Sequence, residues 1–222
     1  MNAVPAEPAP PAWRQRAVER STRAAKLRAE QRIERFLDGA QALITEKGTT
    51  DFTVQEVVER SKQSLRSFYQ HFDGKHELLL ALFEDSLSRC AEEIRTATAA
   101  KKKPLERLRV AVELLYKESQ PRPNKQSALF TDFAMQLLAS HPAQVTAAHI
   151  PLLDVFTELV EQAVESGDAH AAKPRRLAAL LMQTAMFTAQ TPGVPADSNA
   201  TSVTAKEVWE FCLGGLVGAG VR

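Results

Sequence analysis

Residues 53–79 read TVQEVVERSKQSLRSFYQHFDGKHELL, and the order of caps, apolar positions and breaks in this stretch decides the fold. The Thr53 hydroxyl can accept the amide hydrogen bond that opens a helix, and Glu56, three residues on, completes a reciprocal cap. A short helix therefore starts at Thr53, buries Val54, Val57 and Val58, and ends near Arg60. Ser61-Lys62-Gln63 follows as a tight break, after which Ser64 caps another short helix, predicted over 65–72 and closed by Asp73-Gly74. In that helix Phe68 and Phe72 stand one turn apart and face inward. Arg66, Ser67, Tyr69, Gln70 and His71 are left on the remaining surface.

Upstream, Ile33, Phe36, Leu37, Ala40, Leu43 and Ile44 recur at the three-and-four spacing of one helix face, predicting a helix that begins near Trp13 or somewhat later and stops at Lys47-Gly48. Downstream, Leu78, Leu79, Leu82, Phe83, Leu87 and Ile94 predict a fourth helix running to Lys101-Lys102-Lys103, a basic run that reads as a solvated helix end rather than a binding site. Pro104 suits the first turn of the next helix. Further helices are predicted over 105–119, 126–139, 143–166, 174–190 and 204–217, with Pro151 kinking or splitting the 143–166 segment. No stretch reads as a convincing strand and no internal repeat is found. The fold class is all-α, with about nine helices.

Composition bounds the function. A chain of 222 residues with 44% hydrophobic content can bury a real core. Cys90 and Cys212 lie far apart without metal-ligand or CxxC spacing, which argues against a disulfide framework and favours a reducing compartment. Met1 to Pro11 has no secretory pattern, and no apolar run approaches the roughly 18 residues of a membrane span, so a soluble cytoplasmic protein is expected. The Gly-rich phosphate loop, HExxH and GxSxG are all missing. His141 and His149 are isolated histidines, so no catalytic residue, metal site or cofactor is expected. Net charge is only +1, yet Arg14, Arg16, Arg20, Arg23, Lys26, Arg28, Arg32 and Arg35 crowd the early chain, while Asp154, Glu158, Glu161, Glu165 and Asp168 lie later. A basic head on a neutral-to-acidic body implies a polyanion at one end.

Two short helices around a tight turn, the second polar and basic outside, form the motif that seats a recognition helix in the major groove of DNA. Arginine can pair with guanine and glutamine with adenine, while hydroxyls and imidazole can reach phosphate, and an exposed Leu65 can touch a thymine methyl. The run Thr53-Val54, Val57-Val58, Ser64 to Phe72, then Lys75 and Glu77-Leu78-Leu79 closely resembles the TetR family of bacterial repressors over about Ile33 to Phe83. The aromatic-Tyr-x-His-Phe piece is its most specific part. The resemblance implies that Gln55, Arg66 and Ser67 face bases and that Tyr69, His71 and Lys75 face phosphates. Thr53, Ser64 and Gln70 complete the expected DNA-binding set. Lys62 and Gln63 depart from the glycine and valine that the family often carries in the turn.

The same resemblance implies a domain plan: a flexible or partly helical basic extension (1–27), a helix-turn-helix DNA-binding domain (28–76) and a helical regulatory and dimerisation domain (77–222). It implies a homodimer joined through 174–190 and 204–217, a palindromic operator with half-sites about 34 Å apart, repression as the usual mode, and release by a small effector. Leu177, Leu180, Leu181, Thr184 and Phe187, with Val208, Phe211, Cys212 and Gly215, give these two helices broad apolar faces. Phe130, Phe133, Met135, Phe156, Met182, Met186 and Trp209 would suit an apolar effector, but such a stripe is more often core than pocket, so no ligand contact is assigned. Two questions stay open at this level. The arginine-rich arm either extends the first helix into solvent or reaches the minor groove. The chain as a whole is a regulator or, alternatively, a helical adaptor that has kept the DNA-binding fold.

Overall fold

The computed structural model describes residues 11–120, 141–190 and 203–217, and among them every regular element is an α-helix. The order is α1 (Ala12–Lys47), α2 (Val54–Ser61), α3 (Leu65–Tyr69), α4 (Lys75–Ala99), α5 (Pro104–Ser119), α6 (Pro142–Ala148), α7 (Ile150–Glu165), α8 (Pro174–Gln190) and α9 (Ala205–Val217). The helix expected over 126–139, with Phe130, Phe133 and Met135, lies outside the described residues, as do the breaks at Pro121–Pro123 and 191–199.

The punctuation follows local chemistry. Gly48 closes α1 at φ 67°, its amide donating to the Ile44 carbonyl at 2.8 Å, a left-handed end that costs glycine little. Pro104 occupies the first turn of α5. Pro151 does split the predicted 143–166 helix: α6 stops at Ala148, α7 starts at Ile150, and the His149 Nδ1 lies 2.7 Å from the Val145 carbonyl at the joint. His141, the other isolated histidine, precedes α6 without a side-chain cap bond, and its ring lies tilted against that of His76 with centroids 4.8 Å apart.

The head is built around Phe36. Its ring meets Phe68 edge-on at 5.4 Å and Phe72 at 6.1 Å, and Ile44, Phe52, Val57 and Leu78 close the same core. Edge-to-face aromatic pairs add about 0.5–1.5 kcal/mol beyond burial, so this trio fixes where α3 sits on α1. In the body, α5 is the central helix, burying Leu108, Ala111, Val112, Leu115 and Tyr116 against α4, α7, α8 and α9. The Tyr116 hydroxyl donates to the Val203 carbonyl, which ties the start of the last helical segment to this core. Arg95 donates to both Glu158 oxygens at 2.8 and 3.0 Å, joining α4 to α7. One helix belongs to both parts: α4 places Leu78, Leu79 and Leu82 in the head and Leu87, Ala91 and Ile94 in the body without a break.

Candidate nucleic-acid interface

The motif forms as its caps demand. The Thr53 hydroxyl accepts the Glu56 amide at 3.2 Å, Glu56 Oε2 accepts the Thr53 amide at 2.8 Å, and Lys47 Nζ holds the other carboxylate oxygen at 2.7 Å. These bonds, led by that from Lys47, pull the Glu56 carboxyl down to about 2. The turn is then made by Lys62 itself, at φ 55° and ψ 40°, with its amide on the Glu59 carbonyl at 3.2 Å and the Gln63 amide on Val58 at 3.1 Å. Among the described residues Lys62 is the one non-glycine with positive φ. The lysine thus occupies a left-handed position suited to glycine.

Ser64 opens α3 by accepting the Ser67 amide at 3.1 Å. The helix ends at Tyr69, three residues earlier than the sequence predicts. The amides of His71 and Phe72 both bond the Phe68 carbonyl at 2.9 Å, tightening the chain so that the Phe72 ring returns to the core beneath α3. Arg66 and Gln70 are exposed, and Tyr69 is 56% exposed with its ring edge against Phe68 at 5.4 Å. Leu65 is also exposed. These four side chains share the outer surface of α3 and its end, a combination of a planar cation, an amide, a phenol and a methyl-bearing side chain suited to base edges and phosphates.

The other sequence-derived positions are placed differently. Gln55, exposed at the start of α2, donates to Glu59 at 2.9 Å. Thr53 and Ser64 are exposed, and each hydroxyl serves a cap. The Ser67 hydroxyl and His71 Nε2 are enclosed and make no hydrogen bond. Lys75, the first residue of α4, holds its ammonium 4.9 Å from the centre of the Phe52 ring.

The sequence reading assigned no ligand contact, but the structure contains a cavity of about 330 Å³ between the head and the body. Gln41 and Thr45 of α1, Ser86 and Cys90 of α4, Leu115 of α5 and Met186 of α8 line it. Burial, with Glu93 and Glu118 nearby, pushes the Cys90 thiol up to about 12. The available signal was Ser86, a hydroxyl between Phe83 and Leu87 on the apolar face of α4. Of the other apolar candidates, Phe156, Met182 and Trp209 are buried core. Among the described residues no cluster of His, Cys, Asp and Glu is placed to hold a metal ion, and no helix is long and apolar enough to cross a membrane.

A capped helix-turn-helix with an exposed polar second helix, mounted on a helical body, defines the class of helix-turn-helix DNA-binding proteins. Residues 36–82, which span the helix-turn-helix and its flanking helices, match the model of the bacterial regulatory proteins of the tetR family. The fold agrees with solved structures at low identity. RolR in complex with resorcinol is 16% identical with a TM-score of 0.64, over 89% of this chain and 91% of that one. FadR from Bacillus subtilis in complex with stearoyl-CoA is 15% identical with a TM-score of 0.58, over 82% and 98%. AibR in complex with isovaleryl coenzyme A and operator DNA is 18% identical with a TM-score of 0.54, over 83% and 97%. No curated protein matches the chain in sequence.

Proposed function

We propose that this transcription regulator is a homodimeric, ligand-responsive repressor that binds a palindromic operator through α3 and is released by a small effector. The observation that carries the reading is the exposed set Arg66, Tyr69 and Gln70 on a short helix pinned from below by Phe36, Phe68 and Phe72. Gln55 and Lys75 stand around that set as further base and phosphate contacts, Ser67 and His71 join them by turning their enclosed polar atoms outward on the duplex, and the Thr53 and Ser64 caps hold the helices that present them.

Dimerisation is supported by the outer faces of α8 and α9. Leu180, Phe187 and Phe211 are 60%, 75% and 74% exposed, and the Cα positions of Gly214 and Gly215 open onto empty space. Large apolar side chains beside small residues suit a close helix-helix seam, and a second copy of the chain would cover them. Two heads related by a two-fold axis would then meet half-sites one helical turn apart, roughly 34 Å.

The cavity supports the effector. At about 330 Å³ it suits a small molecule, and its wall of hydroxyls, carboxylates and apolar side chains suits one with both polar and apolar surface. Because α1 and α4 line it, an occupant that fits one head orientation better than another shifts the population of heads matched to the operator. RolR, FadR and AibR were each solved with a small molecule, which agrees with a responsive body.

Selection of bound duplexes from a random DNA pool tests the proposal. It predicts an enriched palindrome, bound by two chains per duplex. Enrichment of a non-palindromic site bound by a single chain would refute the dimeric reading, and no enrichment from ligand-free protein would refute operator recognition itself.

A further inference from the structure

We propose that the basic arm of α1, residues 12–31, is a second DNA-binding element, a rigid helix that contacts the phosphates of duplex flanking the site held by α3. The inference rests on the reading that the head binds DNA and adds a surface which that reading does not use.

α1 is one unbroken helix from Ala12 to Lys47. Its C-terminal half belongs to the fold: Gln41 and Thr45 face the cavity shared with the body, and Phe36 carries the recognition helix. Moving toward the N-terminus, the helix leaves the body, passes beneath α3 and continues with no packing partner. Every described side chain from Trp13 to Arg28 is exposed. At 1.5 Å per residue the arm extends about 30 Å, close to one turn of duplex. Along α1 the order is therefore body contact at Thr45 and Gln41, α3 contact at Phe36, and then a free, exposed arm beyond α3.

Its charge fits that neighbour. Residues 12–31 hold Arg14, Arg16, Arg20, Arg23, Lys26 and Arg28 against Glu19 and Glu30, a net +4 in a chain whose total is +1. Lys26 lies 3.8 Å from Glu30, whereas Arg14, Arg16, Arg20 and Arg23 form no ion pair among the described residues. The cations are distributed around the helix, which suits a polyanion better than a shaped pocket. A protein partner would need a continuous apolar stripe, and the large apolar side chains of the arm do not form one: Trp13 and Leu27 share a face but stand about four turns apart with Arg20 between them, and Val18 lies about 140° from Trp13. The helical state also decides between the two roles open to an arginine-rich arm. A helix about 10–12 Å across does not enter a minor groove about 6 Å wide, so the arm meets the backbone or the wider major groove.

The test is the salt dependence of binding to a mixed-sequence duplex of about 40 base pairs, chosen long enough to extend past the recognition site. The full chain would be compared with Arg14→Gln, Arg16→Gln, Arg20→Gln and Arg23→Gln combined, and with the four corresponding Arg→Lys changes. Both sets preserve helix propensity on exposed positions. Each lost phosphate contact lowers the slope of log K against log salt by about 0.9, so the glutamine set should flatten it by about 3–4 while the lysine set retains it. An unchanged slope in the glutamine set would overturn the arm and leave the head reading intact. Equal losses in both sets would also overturn it, because the effect would not follow charge. Failure of the parent chain to bind any duplex at low salt would overturn the head reading and this inference with it.

Discussion

Replacing Lys62 with glycine should stabilise the protein, although it deletes a side chain and adds backbone freedom. Lys62 sits at φ 55° and ψ 40°, where the Cβ of an L-residue crowds the following carbonyl at a cost of about 1–2 kcal/mol. Glycine removes that cost but gives back about 0.5–1 kcal/mol through its greater freedom in the unfolded chain. The net gain is about 0.5–1 kcal/mol, a rise in Tm of about 1–4 °C for a chain of this size. Lys62→Val should move the other way by about 1–2 kcal/mol, because a β-branched residue tolerates the left-handed region least. Urea and thermal unfolding of the three proteins measure both shifts. A glycine variant less stable than the parent by about 1 kcal/mol, or a valine variant equal to it, would refute the left-handed turn and the account of how α2 hands over to α3.

Other consequences follow from the caps and the cysteines. Ser64→Ala removes the acceptor of the Ser67 amide at the start of a five-residue helix, so it should cost about 1 kcal/mol and weaken DNA binding as α3 frays, as read by unfolding and a DNA titration. Glu56 is held near 2, below its ordinary 4.5, so its contribution to stability is full above pH 4.5 and is lost as pH falls through 2. Melting curves should therefore show the parent's advantage over Glu56→Gln shrinking across that window; a constant gap would contradict the Lys47–Glu56–Thr53 linkage. Burial and neighbouring carboxylates push the Cys90 thiol to about 12, and burial pushes Cys212 to about 11. At neutral pH iodoacetamide should leave Cys212 unmodified in the folded chain and label it in urea; rapid labelling of Cys212 in the folded chain would contradict its burial on the inner face of α9.

The parts of the fold readable in the sequence are those governed by local chemistry. Thr53 with Glu56, Ser64, Gly48, Pro104 and Pro151 each mark a helix boundary through a bond or ring constraint within a few residues, and the structure places a boundary at each. The end of α3 was less readable, because Phe72 turns inward to meet Phe36, thirty-six positions away in the chain, and no local signal carries that contact. Residue type gave no hint that Lys62 adopts a left-handed conformation, since lysine disfavours it; the surrounding turn imposes it. The recognition positions were legible as a polar set, but the enclosure of the Ser67 hydroxyl and His71 Nε2 depends on packing. The cavity depends on how four helices meet, so only Ser86 on an apolar face hinted at it. The arm was visible as charge, whereas its place beyond α3 along α1 required the Phe36 contacts.

The central claim is that the outer surface of α3 reads DNA. Its most direct test is the affinity of the parent chain and of the combined Arg66→Ala and Tyr69→Ala variant for the duplex enriched by selection, with the variant's folding checked by its melting curve. The account predicts steeply salt-dependent binding by the parent and a loss of about tenfold or more in the variant, with a melting curve close to the parent's because both side chains are exposed. Equal affinity of a folded variant for the same duplex would contradict it.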